Sequence, residues 1–232
     1  MIINSPEYYK ARKALDTSDL FSKCGDNELA ALLNASYFRK VQRNRNIYLA
    51  DDIAREAFLL LSGGVKLCTP VKNKRDKVIQ IVRPMDLLGI FDILTDGQRD
   101  LSAYAISPCE LLMIDGDILT ELISGNTHFC TQILMSLGMR YKETSSWCFR
   151  YNHYGAREKV AAYLVTESRR EYAEDDSIIN PSRRDIASLL GITPETLSRE
   201  LSFFKKHEWV RVDPKGVIQV VNSESLSELF NP

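Results

Sequence analysis

The spacing of hydrophobic and polar positions changes along the 232-residue chain, and each spacing predicts a different kind of element. Leucines at helical spacing predict a helical lead-in over residues 1–35. From residue 37 to about 125, short apolar runs of β type alternate with Gly, Pro, Asn and Asp at intervals of about 8–12 residues, as in a small sandwich or barrel. We predict strands at 46–49, 57–61, 65–68, 78–82, 103–106 and 111–114.

A long helix is predicted over residues 126–151, which contain no proline. Residues along one side of this helix recur at alternating steps of four and three over about three heptads, which is the seam of a two-stranded coiled coil. We therefore expect a homodimer; the alternative is a monomeric helix packed on the strand region. The seam residues are Cys130, Leu134, Leu137, Tyr141, Thr144, Cys148 and Tyr151.

The segment 182–216 predicts two short helices joined by a tight turn and followed by a two-stranded wing. Ser182 and Thr193 are good N-caps for the two helices, and Gly191 is suited to end the first. The second helix has one apolar stripe, formed by Leu197, Leu201 and Phe204. One face of this helix can therefore pack while the other stays accessible.

The polar face of that second helix carries groups that match the base edges of a major groove. Arg199 can donate two hydrogen bonds to a guanine, Glu195 can accept one from a cytosine, and the small Ser198 allows close approach. The simpler interpretation is a surface ion pair between Glu195 and Arg199, worth ~0.3–0.5 kcal/mol. Residues that could hold phosphates without reading sequence are Ser182, Arg183, Thr193 and Thr196.

The pattern E-x-x-S-R, formed here by Glu195, Ser198 and Arg199, resembles the recognition-helix motif of the Fnr branch of the Crp/Fnr family of bacterial transcription regulators. The resemblance implies that Glu195 and Arg199 read the G·C pair of a TTGA half-site and that Ser198 makes the base contact typical of such sites. Pro194 stands where cyclic-AMP receptor proteins carry an arginine, which favours an Fnr-like site. Palindromic duplex DNA and RNA polymerase are the partners that the resemblance implies.

The resemblance extends to the strand region, where 58–67, 78–94 and 102–115 resemble the β-roll of cyclic-nucleotide-binding domains. It implies an α+β chain that acts as a regulator and not as an enzyme. The implied domains are a β-roll sensor (a double-stranded β-helix or jelly roll) at 1–125, a dimerisation helix with a hinge at 126–154, and a winged helix-turn-helix at 155–232.

The resemblance also implies an effector pocket after Gly89, where the family has a glutamate for the ribose and an Arg-Ser pair for the cyclic phosphate. Here Ile90 stands at the glutamate position, and the Arg-Ser position reads Leu101-Ser102 or, with a one-residue insertion, Asp100-Leu101. A phosphate buried without a cation costs roughly a few kcal/mol or more, so we expect that the effector is not cyclic AMP or cyclic GMP. A pocket for an unknown effector would use Gly89, Ile90, Leu101, Ser102, Thr144 and Ser145; constitutive DNA binding without an effector is the alternative.

The cysteines and histidines leave other sensor chemistries open. An Fnr-type iron–sulfur cluster needs four thiolates with three near the N-terminus, and Cys24 stands alone there, so no cluster is expected. A haem is less readily excluded, although a core or surface role is the simpler interpretation of each possible axial ligand: His128, His153, His207, Cys68 and Cys109. Cys130 and Cys148 are candidates for a redox-sensing thiol, against the simpler interpretation of core thiols. We predict no metal site, and the absence of histidine from 37–125 disfavours a cupin-type metal enzyme.

Composition and charge narrow the class further. No apolar run approaches ~18 residues, and the N-terminal MIINSPEYYKARK lacks the apolar core of a signal peptide, so we expect a cytoplasmic protein that makes no use of a membrane. The net charge of −1 argues against indiscriminate binding to nucleic acids. Residues 180–216 hold seven Lys/Arg against five Asp/Glu, so affinity for DNA must come from a local patch, and the acidic run 174–176 should face away from it.

Overall fold

The computed structural model describes residues 5–21, 23–72, 75–95, 97–169, 181–214 and 216–230. The chain forms two compact units, the first Met1–Tyr141 and the second Lys142–Pro232. The acidic run 174–176 lies outside the described residues.

The first unit combines antiparallel strands with helices before, between and after them. Its helices are α1 (Pro6–Thr17), α2 (Asp26–Asn34), α3 (Ile90–Leu94) and α4 (Gly116–Gly125). Its strands are β1 (Ser36–Val41), β2 (Asn46–Tyr48), β3 (Glu56–Ser62), β4 (Val65–Thr69), β5 (Lys77–Val82), β6 (Leu87–Leu88), β7 (Ser102–Ala105) and β8 (Cys109–Asp115). The strands pair in two four-stranded sheets, ordered β1-β8-β3-β6 and β2-β7-β4-β5. The predicted β-roll and the α+β class are confirmed.

Strand β3 shows why this region reads as a nearly continuous apolar run. Phe58 and Leu60 pack in the core between the two sheets, whereas Ala57, Leu59 and Leu61 pack in a second core beneath the helices. A strand buried on both faces has no polar side to alternate with its apolar one.

The six predicted strands correspond to β2, β3, β4, β5, β7 and β8. The pattern did not predict β1, β6, α3 or α4. Strand β6 has only two residues, and in β1 the adjacent Arg39 and Lys40 interrupt the apolar positions, so neither forms an apolar run. Tertiary pairing with neighbouring strands makes them strands.

Helix α5 (Thr127–His153) is the predicted long helix. Phe129 and Ile133 are buried in the helix-covered core of the first unit, which fixes the start of α5.

The second unit contains α6 (Ala156–Ser168), α7 (Arg183–Leu190), α8 (Pro194–Lys206), β9 (Val210–Val212), β10 (Ile218–Val220) and α9 (Ser223–Glu228). One core joins these elements, with Val160 and Leu164 of α6 against Leu190 of α7 and Phe204 of α8. The helix-turn-helix and its wing therefore rest on α6. In the ranges that the structure describes, no helix has the length and apolarity needed to cross a bilayer.

Candidate nucleic-acid interface

Helix α7 and the following turn are defined by local hydrogen bonds. The Ser182 hydroxyl accepts from the Asp185 amide at 3.1 Å and donates to the Asp185 carboxylate at 2.7 Å, which caps the helix. Gly191 ends it with φ 64°, a left-handed conformation that glycine adopts without a Cβ penalty. The Ile192 amide then donates to the Ala187 carbonyl at 3.0 Å and closes the turn.

Helix α8 begins at a second cap and is anchored by its apolar stripe. The Thr193 hydroxyl accepts from the Thr196 amide at 3.1 Å, and Pro194 occupies the first helical position, where its missing N–H costs nothing. The predicted stripe of Leu197, Leu201 and Phe204 is buried. The opposite face is therefore turned away from the core.

Glu195, Ser198 and Arg199 lie on that accessible side of α8. Glu195 is exposed, Ser198 is partly buried, and the Arg199 side chain is 70% exposed. Hydrogen bonds from the Glu195 backbone N–H and from the Thr193 hydroxyl, with a smaller coulombic effect of Arg184, lower the pKa of the Glu195 carboxyl. Within the part of the chain that the structure describes, Glu195 and Arg199 do not form the ion pair of the simpler interpretation. Neither group therefore neutralises the other, and both are accessible to an outside partner.

The four residues predicted to hold phosphates differ in how accessible their polar groups are. The hydroxyls of Ser182 and Thr193 serve as helix caps, and that of Thr193 also lies 3.1 Å from the Thr196 hydroxyl. The Arg183 side chain is exposed beside the Ser182 cap. Of this group, Arg183 offers an exposed charge that can meet an anion.

The wing follows α8 as predicted. Strands β9 and β10 pair antiparallel, with Arg211 opposite Gln219. The Asp213 carbonyl accepts from the Gly216 amide at 3.0 Å, and its carboxylate accepts from the Val217 amide at 2.8 Å, which closes the connecting turn. Lys215, in the same turn, lies outside the described residues.

Glu200 is a polar residue of α8 that the sequence pattern missed. Its side chain is only 7% exposed, and its Oε2 accepts from the Arg157 Nε of α6 at 2.7 Å. Its Oε1 lies 3.5 Å from the Arg199 Nε. The signal was available, because Glu200 follows Leu197 by three residues and precedes Phe204 by four, so a charge stands inside the apolar face. A buried charge requires a partner on a neighbouring element.

Two family models match the chain in separate regions. The model of the Crp-like helix-turn-helix domain matches residues 158–229, and that of the cyclic nucleotide-binding domain matches residues 38–126. The chain belongs to the Crp/Fnr family. It is a transcription regulator with a helix-turn-helix DNA-binding domain, and its curated relatives are regulators and not enzymes.

The relatives span both branches of the Crp/Fnr family. The chain is 23% identical to the CRP-like cAMP-activated global transcriptional regulator of Mycobacterium tuberculosis, over 92% of this chain and 96% of the relative. It is 27% identical to the fumarate and nitrate reduction regulatory protein of Vibrio cholerae, over 82% of this chain and 77% of the relative. The fold matches that of FixK2 from Bradyrhizobium japonicum with a TM-score of 0.76 at 21% identity, over 85% of this chain and 98% of that structure.

Crp/Fnr regulators typically act as dimers, and the predicted seam on α5 is exposed within the single chain. Leu134 is 61% exposed, Tyr141 is 72% exposed, and Leu137, Thr144 and Cys148 are also exposed. Cys130 is partly buried, and the Tyr151 side chain lies outside what the structure describes. Large apolar side chains in a row along one helix are typical of a protein–protein contact.

The residues predicted to line an effector pocket have different surroundings. Ile90 is buried in the helix-covered core, whereas Leu101 packs against the core between the sheets. The Ser102 hydroxyl accepts from the Ala50 amide at 2.9 Å. Thr144 and Ser145 are exposed and belong to the second unit.

Gly89 instead lies against Arg99, which the sequence analysis overlooked. The Arg99 side chain is 2% exposed; its Nη1 donates to the Gly89 carbonyl and to the Asp92 carboxylate, each at 3.1 Å. Its Nη2 donates to the Glu56 carbonyl, and its guanidinium carbon lies 4.4 Å from the centre of the Tyr48 ring. Only Nε finds no acceptor among the described residues.

One premise of the prediction against cyclic AMP is wrong. We expected this region to lack a cation because Leu101 or Asp100 replaces the family's arginine, yet Arg99 supplies one. That cation is already paired with Asp92 and enclosed by carbonyls and rings. Gly89, with φ 76°, makes the enclosure possible, because a Cβ there would collide with Arg99 Nη1.

The candidate sensor residues make local contacts. His128 lies 3.3 Å from the Gln132 amide nitrogen, the His153 ring packs against Phe149 with ring centres 4.6 Å apart, and the His207 Nδ1 lies 2.9 Å from the Phe203 carbonyl. Cys68 is buried. No group of three or more potential metal ligands occurs among the described residues.

Two other thiols are poorly suited to redox sensing. Burial raises the pKa of Cys24 to about 11, with help from Glu28, and burial also raises the pKa of Cys109. A thiol with a raised pKa carries little thiolate at neutral pH. Cys148 is exposed and Cys130 partly so, and both keep their status as predicted candidates.

Proposed function

We propose that this regulator binds, as a homodimer, a palindromic TTGA-type site and reads it with Glu195, Ser198 and Arg199. The observation that carries the proposal is the arrangement on α8: the trio lies on the accessible face, unpaired with one another, while Leu197 and Leu201 anchor the opposite face. The family resemblance supplies the sequence of the half-site.

The chemistry of each group fits one edge of the G·C pair. The Arg199 guanidinium donates to guanine O6 and N7, which form an acceptor pair in the major groove. The Glu195 carboxylate accepts from the cytosine amino group. Ser198 is short enough to let the helix approach a neighbouring base. Arg183 and the capped starts of α7 and α8 would contact phosphates and set the register.

Reading a palindrome requires two copies of α8 related by a two-fold axis. Half-sites one helical turn apart place the two recognition helices ~34 Å from each other. The exposed seam on α5 supports this arrangement, because pairing two such helices buries Leu134, Leu137 and Tyr141 of each chain. Because each protomer carries its own Glu195, Ser198 and Arg199, the dimer would contact both half-sites at once.

A second partner and the cellular compartment are inferred from the family alone. RNA polymerase is the expected second partner, and the cytoplasm is the expected compartment. Neither rests on a contact in this chain.

We further propose that cyclic AMP is not the effector. The Mycobacterium tuberculosis relative is named as cAMP-activated. In this chain Asp92 already neutralises Arg99, so a cyclic phosphate would have to displace a partly buried carboxylate from a buried guanidinium. Breaking such a pair costs about 3–5 kcal/mol. Because Arg99 is paired in this way, we favour a regulator that binds DNA constitutively. A haem- or thiol-based sensor is the alternative.

The proposal is tested by mobility shift of the full-length protein on a TTGA-N6-TCAA duplex and on a scrambled duplex of the same composition. We expect Arg199→Ala to weaken binding to the TTGA duplex by ~1–3 kcal/mol and to leave binding to the scrambled duplex nearly unchanged. Lys206→Ala, which also removes a cation from α8, should weaken binding to both duplexes by the same factor. Equal binding of the wild-type protein to both duplexes would refute the proposal.

A further inference from the structure

We propose that Glu200 is the positioning residue of the reading arginine, and that Arg157 holds Glu200 in place. This inference rests on the proposed function, in which Arg199 reads a guanine. Arg157 lies on α6, whereas Glu200 and Arg199 are consecutive residues of α8. The three side chains form a chain of alternating charge from the supporting helix to the reading face.

The link between α6 and Glu200 is short and well defined. Arg157 Nε donates to Glu200 Oε2 at 2.7 Å, and the Arg157 guanidinium carbon lies 3.7 Å from the centre of the Phe203 ring. One side chain of α6 therefore contacts two residues of α8 that are three positions apart. Contacts at i and i+3 limit rotation of a helix about its axis.

The link between Glu200 and Arg199 leaves the reading atoms free. The second carboxylate oxygen, Oε1, lies 3.5 Å from Arg199 Nε, a long contact that acts mainly through charge. The Arg199 Nη2 lies 3.5 Å from the Thr196 hydroxyl, which is equally long. Attraction at Nε orients the guanidinium and leaves its two terminal nitrogens for guanine O6 and N7.

Electrostatics alone would make Glu200 unfavourable for DNA binding. A carboxylate near a phosphate backbone repels it, so removal of this charge should strengthen binding to every sequence. If Glu200 instead orients Arg199, its removal should weaken binding to the sequence that Arg199 reads. The two explanations predict changes of opposite sign.

The informative variant is Glu200→Gln in the full-length protein. It keeps the size of the side chain and one acceptor, and the Arg157 that loses its partner is 42% exposed, so water can solvate it. Arg157→Ala is less useful, because it would leave a buried carboxylate without its cation and endanger the fold. Glu208→Gln is the matched control, since it removes an equal charge from an exposed residue just beyond α8.

Fluorescence anisotropy on the TTGA-N6-TCAA duplex and on the scrambled duplex gives the readout. For Glu200→Gln we expect about tenfold weaker binding to the TTGA duplex, with unchanged or slightly tighter binding to the scrambled one. Glu208→Gln should bind both duplexes as tightly as the wild type or slightly more tightly. In the Arg199→Ala background, Glu200→Gln should have no further effect on sequence preference.

Three outcomes overturn the inference. Unchanged or tighter binding of Glu200→Gln to the TTGA duplex leaves only the electrostatic explanation. Parallel weakening on both duplexes, together with a lowered Tm, indicates a structural role in α8. Full additivity with Arg199→Ala shows that Glu200 does not act through Arg199. If Arg199→Ala itself retains sequence preference, the proposed function fails, whatever Glu200 does.

Discussion

Replacing Arg99 with leucine tests whether this buried cation is a structural part of the β-roll. The substitution removes the hydrogen bonds to Asp92 and Gly89, both at 3.1 Å, the bond to Glu56, and the stacking on Tyr48. It leaves the Asp92 carboxylate, 19% exposed, without its cation. Loss of one partner of a buried pair costs about 3–5 kcal/mol, so we expect the first unit to be destabilised by that amount.

Differential scanning calorimetry of the full-length protein measures the effect. For a unit of this size, a loss of about 3–5 kcal/mol lowers Tm by roughly 10 °C. Arg43→Leu is the matched control: Arg43 is exposed, and its loss should change stability by at most about 0.5 kcal/mol. Cyclic AMP should leave the Tm and the DNA affinity of the wild type unchanged.

A contrary result is easy to recognise. If Arg99 is instead available to bind an anionic effector, its replacement should leave Tm near the wild-type value, because ligand-binding residues seldom contribute to the stability of the free protein. A rise in wild-type Tm with cyclic AMP that Arg99→Leu abolishes would point the same way. Either finding would refute the view that Arg99 is committed to its ion pair with Asp92.

Three further predictions follow from other parts of the chain. Leu134→Asp places a charge in the exposed seam of α5, so sedimentation velocity should show a monomer with an unchanged circular dichroism spectrum; a persistent dimer would exclude this seam. Lys10 donates to Glu110 and lowers the pKa of the Glu110 carboxyl. The ion pair therefore stabilises the folded protein at pH values above the pKa of Glu110 in the unfolded chain, and this stabilisation is lost as the pH falls through the pKa of Glu110 in the folded protein. Lys10→Gln should therefore lower the free energy of unfolding, measured by thermal denaturation, by about 1 kcal/mol at neutral pH and by less near pH 3. Lys13→Gln, on the same helix, should leave it unchanged. Gly191→Ala forces a side chain into the left-handed region at φ 64° and should destabilise the second unit by about 1 kcal/mol, whereas Gly191→Asn should cost less in the same thermal denaturation.

The elements of the helix-turn-helix could be predicted from sequence because their signals are local. Ser182, Gly191 and Thr193 each act within four residues of their own position, and the stripe of α8 follows from helical spacing alone. The accessible trio follows from the same spacing. Its role toward DNA came from the family resemblance, since spacing does not distinguish a reading face from an ordinary solvated one.

Arg99 and Glu200 illustrate what sequence could not supply. Arg99 lies in a connection between α3 and β7, where no periodicity indicates burial, and its partners Glu56 and Tyr48 are more than forty residues away. Glu200 did carry a signal, a charge inside an apolar stripe, but its partner Arg157 lies on another helix. The family's Arg-Ser position was assigned to Leu101 or Asp100, whereas the arginine stands at position 99.

The central claim is that Arg199 reads a G·C pair in each half-site, and a single ratio measures it. The dissociation constant for a duplex whose two G·C pairs are changed to A·T, divided by that for the TTGA-N6-TCAA duplex, should be about 30 or more for the wild-type protein. In Arg199→Ala this ratio should fall close to one. A ratio near one in the wild type, or a large ratio that survives in Arg199→Ala, would contradict the account.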